Sequence, residues 1–571
     1  MRIHTYARQG NIQEVAQEIA NGVDIDCTDK NNPQTPLMYA VASDNAGIDM
    51  VRFLVNNGAD INAVENEFQT PVLGLAAKSG NPIKIQFLLD SGANINYQRP
   101  GGYDVLIDAM HGRDISKDPN LIPILNLLLD RGAKVNGISS YEETALKVAS
   151  YEGRFDAVQL LLKADCDRQQ LKWTSLMYAI AFGSLKNVRD QLKNQADLKV
   201  RDYWQRTPWL LSIEVGDLEK VKQIFLSGIV ANDLGIAGQT PLMYAIKHNH
   251  FEVLKFLIEK EFDVEATDES NTTPLIVAAQ AGATDCVNIL LKAGANPSRV
   301  NDFGEKAIAS ASNISIVRML VEAGADLSEI NEEMRRLLTG VGNCELEVSQ
   351  AQYLAGKQRR FGNTNPEIME IDFWKAMIRC GISAWSAKSI FNDTDSENEP
   401  VWSYDRFGRT ITELPNGRVI DIAGEHEDYY DPDFCIYNDV VVYQGNGNFK
   451  ILGYPKEIFP PTDFHSATLV GEYIYIIGNL GYVQARINQE TPVYRLHCKS
   501  FKIEKVDTTG EKPGWISNHQ AFYYEPLNKI HITGGQVWRE IYEKTEYVDN
   551  HLSYALNLTT LAWTQIDTAP E

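Results

Sequence analysis

Self-similarity is the strongest constraint on this chain. "TPLMYA" stands at residues 35–40 and again at 240–245, with "TSLMYA" at 174–179. Equivalent positions fall at Thr35, Thr70, Asp104, Thr144, Thr174, Thr207, Thr240, Thr273 and Lys306, in steps of 35, 34, 40, 30, 33, 33, 33 and 33. A period near 33 residues marks a unit too small to bury its own apolar face, so neighbouring units must stack into one extended core. Thr35 is a helix N-cap, Pro36 suits a first helical turn that needs no N–H, and Gly58 or Gly92 can end a helix in the left-handed conformation. Each unit therefore reads as helix, turn, helix, turn.

The second halves, "MVRFLVNNGADIN", "IQFLLDSGANIN", "ILNLLLDRGAKVN" and "CVNILLKAGANPS", complete the pattern. Together these residues resemble the ankyrin repeat family. The resemblance implies an all-α solenoid over residues 1–330, with residues 3–26 as an N-terminal cap that lacks the TPL helix start but keeps the second-helix pattern, followed by about nine units. The family's usual histidine after TPL is missing. Met38, Leu73, Met177, Met243 and Ile276 stand there, so apolar packing must replace its hydrogen bond. An insertion near 111–120 should form a longer loop, and the step from Thr144 to Thr174 is short. The resemblance also implies a concave surface row at the next position: Tyr39, Gly74, Asp108, Val148, Tyr178, Leu211, Tyr244 and Val277. Tyr203, Trp204 and Phe68 would sit on the β-turn fingers. We take Tyr39, Tyr178, Leu211, Tyr244, Val277, Tyr203 and Trp204 as partner-binding candidates, since contiguous exposed aromatic surface marks an interface. Packing of the same row against another part of the chain is the alternative.

Residues 331–400 read as a helical connector with an acidic linker, "NDTDSENEP", at its end. Its second helix is expected to start at Asn365-Pro366, with Trp374 and Trp385 in a core. From residue 401 the helical period gives way to strand, turn, strand patterns. "IDIAG", "IYIIG" and "IHITG" place glycine at 424, 478 and 534, steps of 54 and 56. With the closing strands "NDVVVYQGNGNFKI", "PVYRLHCKSFKIEKV" and "LSYALNLTTLAWTQI", these resemble kelch repeats, which implies a second, all-β kelch-like domain over 401–571. Three blades are recognisable, fewer than a propeller usually has. Either "VWSYDRF" hides a further blade, or the sheet stays open with covered edges; open β edges would also admit a second copy of the chain.

"GEHEDYYDPDFCIYND" (424–439) is the most chemical-looking stretch, with six carboxylates and no lysine or arginine. It falls in the loop between the second and third strands of the first blade. Four readings are open: a solvated structural loop, a dock for a basic segment, a calcium or magnesium site, and a zinc or catalytic site. The metal candidates are Glu425, His426, Asp428, Asp431 and Asp433; the spacing lacks the glycine of an EF-hand, and one His and one Cys are few for zinc. No Walker loop, GxSxG, HExxH or Rossmann fingerprint occurs, so no cofactor is expected and enzyme chemistry is the lesser alternative. The formal charge of -23 argues against a nucleic-acid partner and for a basic one, or one with an apolar anchor. A scaffold that binds a protein is the leading reading, and an inhibitor of a basic toxin or nuclease a further one. The seven scattered cysteines and the lack of a long apolar window fit a cytoplasmic protein with no membrane span.

Overall fold

A computed structural model describes the chain except for residues 1, 30–32, 113, 230–231, 343, 394–399, 427–433, 542–543 and 567–571. Two compact units emerge, Met1–Ala278 with Lys292–Ala295, and Ala279–Leu291 with Asn296–Glu571. Their boundary falls among the helical repeats. Each unit is described by itself.

The repeats fold as antiparallel helix pairs, such as Pro36–Ala42 with Ile48–Asn56 and Pro241–Lys247 with Phe251–Glu259. The local causes are those read from the sequence. Thr35, Thr174, Thr207, Thr240 and Thr273 each accept a hydrogen bond from the backbone N–H three residues on, and Asp104 does the same for Ile107. Gly58 and Gly92 adopt positive φ values of 96° and 95° where the second helices end. Met38, Leu73, Met177, Met243 and Ile276 are all buried, so apolar packing does replace the missing histidine. Lys147 holds that position in the fourth unit, and its ammonium donates to the Glu142 carbonyl.

Three repeat features depart from the regular unit. Residues 3–26 form a full helix pair, Arg2–Gln9 and Ile12–Ala20, although the TPL helix start is absent. The ninth unit keeps its second helix, Ile314–Glu322, but residues 307–310 form a turn where a first helix was expected. In the short fourth step a 3-10 turn, Arg168–Leu171, replaces the finger. Neighbouring units are also tied by buried cations that periodicity does not reveal. The Lys84 ammonium donates to the carbonyls of Ala40 (2.9 Å) and Ser43 (2.6 Å), closing the end of the preceding unit's first helix, and Lys220 does the same at Ile180 (2.8 Å).

The second unit contains three antiparallel meanders. The first orders Thr410–Glu413, Val419–Ile422, Val440–Tyr443 and Phe449–Gly453 from one edge to the other, and Glu367–Ile368 from the connector adds to its far edge. The second runs Ser466–Val470, Tyr473–Ile477, Val493–His497, Ile503–Lys505. The third runs Gln520–Tyr524, Lys529–Thr533, Ser553–Asn557, Ala562–Ile566, with Thr509–Gly510 alongside the last strand in parallel. Consecutive sheets pack face to face. Ile420, Ile422, Val440 and Val442 of the first share a core with Ile474, Ile476 and Leu496 of the second, and Ile477 and Val493 share one with Ile530, Ile532 and Trp563 of the third. At the first strands, Thr410 Oγ1 and His465 Nε2 share a hydrogen bond of 2.7 Å, and Ser466 Oγ and His519 Nε2 one of 2.9 Å. Burial holds both imidazoles neutral, pushing His465 down to about 3 and His519 to about 4. No closed barrel or ring is seen among the described residues. "VWSYDRF" supplies no further blade: Val401 makes one bridge to Gln358, and Trp402 packs into the interior.

The outer strand edges of these three meanders are occupied. Glu367–Ile368 and Thr509–Gly510 cover two of them, and the Asn365 side chain both donates to and accepts from the backbone of Ile503 on the third. The connector helix begins at Asp372, not at Asn365-Pro366. Trp374 is buried and stacks on Trp402 with ring centroids 4.8 Å apart, whereas Trp385 is 72% exposed, against the expectation of a core position.

Candidate interaction surface

The expected concave row does not stay exposed. Tyr39, Tyr178 and Val277 are half-buried, but Leu211 is 0% and Tyr244 5% exposed, so the row is interrupted in the middle. The cause at Tyr244 is the finger at 235–239. A Cβ on Gly235 would lie 2.0 Å from the Tyr244 hydroxyl, so glycine lets the finger close over that ring. Burial then raises the Tyr244 phenol's pKa.

What the first unit presents instead is a row of rings one step nearer the fingers. Tyr203 and Trp204, both half-buried finger residues, contact edge to face with centroids 5.1 Å apart. Trp204 in turn lies 4.7 Å from Tyr151 on a first helix of the fourth unit. Cations lie over two of the rings: the buried Lys147 Nζ is 3.8 Å from the Tyr203 centroid, Lys172 Nζ 5.7 Å, and Lys247 Nζ 4.1 Å from Tyr151. The Trp204 indole donates to the Lys147 carbonyl at 2.9 Å, which fixes the ring's rotation. Phe68, Tyr141, Leu234 and Ile236 are further exposed apolar side chains on the turns of this unit.

Beneath the row lies a fully buried guanidinium. Arg206 donates twice to Asp202 Oδ2, once to Glu214, and to both the carbonyl and hydroxyl of Ser150, so all five N–H groups are used. Trp173 adds a 3.1 Å bond to Asp202. Burial by itself would raise the Glu214 carboxyl, but Arg206, aided by His248 and Lys247, holds it down to about 2. The sequence reading missed Arg206, Lys147, Lys247 and Tyr151. The available signals were small: Arg206 stands where Gln34, Gln69 and Gln239 precede the threonine in other units, and Lys147 stands among apolar equivalents.

A second concavity, of about 570 Å³, lies between turns at 95–98 and 134–138, with the Asp104 carboxylate in its wall. Burial raises that carboxyl's pKa.

The acidic stretch of the second unit resolves differently. Asp428, Asp431 and Asp433 lie outside the described residues. Glu425 and His426 are consecutive on a two-residue strand paired with Cys435–Ile436, so their side chains leave opposite faces and cannot converge on one ion. His426 Nδ1 lies 3.3 Å from the Asp405 carbonyl. Among the described residues no group of three His, Cys, Asp or Glu side chains could hold a metal ion. Asp439, at the stretch's end, is buried and paired with Arg406, which also donates to the carbonyls of Ser403 and Ala423 and lies 3.7 Å over the Tyr437 ring. The missing compensating base thus arrives from 33 residues away in the chain.

The repeat geometry and the sequence agree with a known family. The sequence model described as "Ankyrin repeats (3 copies)" matches residues 3–99, 115–202, 209–301 and 269–331, more than half of the chain. The chain belongs to the ankyrin repeat family. It is 29% identical over 155 residues to a putative ankyrin repeat protein of Fowlpox virus (26% of this chain, 82% of that protein). Over 305 residues it is 30% identical to the Ankyrin repeat and KH domain-containing protein mask-1 of Caenorhabditis elegans (52% of this chain, 10% of that protein). It is also 29% identical over 133 residues to the human Transient receptor potential cation channel subfamily A member 1 (23% of this chain, 12% of that protein). The chain thus spans only about a tenth of the latter two relatives. No helix among the described residues is long and apolar enough to cross a membrane.

Proposed function

We propose that this chain is a non-enzymatic, cytoplasmic scaffold that binds a protein partner through the Tyr151–Trp204–Tyr203 row of its ankyrin repeats. Ankyrin repeats are an interaction module, and the observation that carries the choice of surface is the pairing of half-exposed rings with a fully satisfied buried base. Such a platform loses little side-chain freedom on binding, which is where aromatic anchors gain their affinity. In this reading residues 1–330 form the recognition module, 331–400 the connector, and 401–571 a kelch-like β domain offering a second surface. The three consecutive meanders with a shared first-strand contact support the kelch-like assignment. The relatives' names span a channel and a KH-domain protein, so family membership alone selects no partner.

The test is quantitative affinity purification of the intact protein beside a Tyr203→Ala/Trp204→Ala variant that melts at the same temperature. A partner present with the parent and depleted at least tenfold with the variant is the expected result. An unchanged set of partners would remove this surface from consideration.

A further inference from the structure

The chain is strongly acidic overall, which by itself favours a basic partner. The aromatic row argues for the opposite. Three features converge on it. First, cations already lie over two of the three rings, Lys147 and Lys172 at Tyr203 and Lys247 at Tyr151, so a further cation beside them would meet like charge at short range. Second, the carboxylates closest to the row are largely spent: Asp202 and Glu214 on Arg206, and Asp167 on capping the turn at 168–171. Third, Arg168 and Lys172 are exposed and have no carboxylate partner among the described residues, and Arg168 lies 5.3 Å over the Tyr178 ring beside the row. The Lys247 ammonium is engaged by the Tyr151 carbonyl and lies 3.9 Å from Glu214, with its side chain still 30% exposed.

We infer that the Tyr151–Trp204–Tyr203 surface recognises an acidic peptide segment in which an aromatic or branched apolar side chain is flanked by Asp or Glu. The anchor meets the rings, and the flanking carboxylates meet the ammonium groups at both ends of the row, Lys247 on one side and the exposed Lys172 on the other. Charge complementarity of this kind sets which partner is admitted and its rate of encounter more than the final affinity. The inference rests on the surface proposed above and adds the partner's chemistry.

A random twelve-residue peptide display library selected on the full chain tests it, with the recovered peptides synthesised and measured by fluorescence anisotropy. The expected enrichment is Asp or Glu beside Trp, Phe or Leu, with affinity reduced at least tenfold by Lys172→Glu/Lys247→Glu and weakened as sodium chloride is raised. Acidic peptides that bind this double variant unchanged would overturn the inference. Enriched basic or neutral peptides that are lost with Trp204→Ala would also overturn it while leaving the surface itself in place. Recovery of no peptide whose binding depends on Trp204 would remove both.

Discussion

Each unit buries an arginine against carboxylates, Arg206 in the first and Arg406 in the second, and the two are solved in different ways. Arg206 faces two carboxylates, Asp202 and Glu214, with Ser150 satisfying the remaining donors. Arg406 faces one, Asp439, and the second nearby carboxylate, Asp421, is left to Arg409 at 3.4 Å. The consequence is electrostatic. Glu214 is held charged, down to about 2, whereas burial pushes Asp421 up to about 7 despite Arg406 and Arg335. A buried carboxylate stays ionised only when a cation is placed on it with good geometry; close proximity to a cation spent elsewhere is not enough.

Removing the cation from the first network should give the largest effect. Arg206→Met strands Asp202 and Glu214 without a partner and is expected to cost the first unit about 3–5 kcal/mol in urea denaturation, with less loss at pH 4 as the carboxyls take up protons. Asp421→Asn sharpens the contrast. A carboxyl whose folded pKa lies above its unfolded value near 4 destabilises the fold as pH rises from about 4 to 7. The amide should therefore stabilise the second unit by roughly 2–4 kcal/mol at pH 8 and leave it unchanged at pH 4. Equal Tm differences at both pH values would contradict the raised pKa.

Glu214 must show the reverse slope. Its depressed pKa contributes stability that is complete above about 4.5 and is lost as pH falls towards about 2. Calorimetry across this range should show the first unit's transition falling, with a shallower slope in Glu214→Gln. The smallest effect belongs to Arg318, which reaches Glu413 of the first sheet from the last repeat helix at an exposed site. Arg318→Ala should change stability by about 0.5 kcal/mol or less, halved again in high salt.

Much of the first unit was legible because its signals are local. Threonine caps, the positive-φ glycines and apolar spacing each depend on a few neighbouring residues, and the structure reproduces them. The surface was only half legible. Tyr203 and Trp204 were found as finger residues, but Leu211 and Tyr244 are buried, Tyr244 because Gly235 and its finger close over its ring, a contact that repeat spacing does not encode. The same limit applies at 424–439, where the loop's place between two strands was readable and the base that neutralises Asp439 was not, since Arg406 precedes the stretch and reaches it through the folded sheet.

The sequence by itself determined that the chain begins with repeated helix pairs and that strands follow, because period, capping and turn chemistry act over short distances. Tertiary structure alone decided which rings stay at the surface, which carboxylates remain charged and which sheet edges are covered. Those outcomes depend on residues tens of positions apart, such as Ser150 with Arg206 and Asn365 with Ile503, brought together only when the chain is packed.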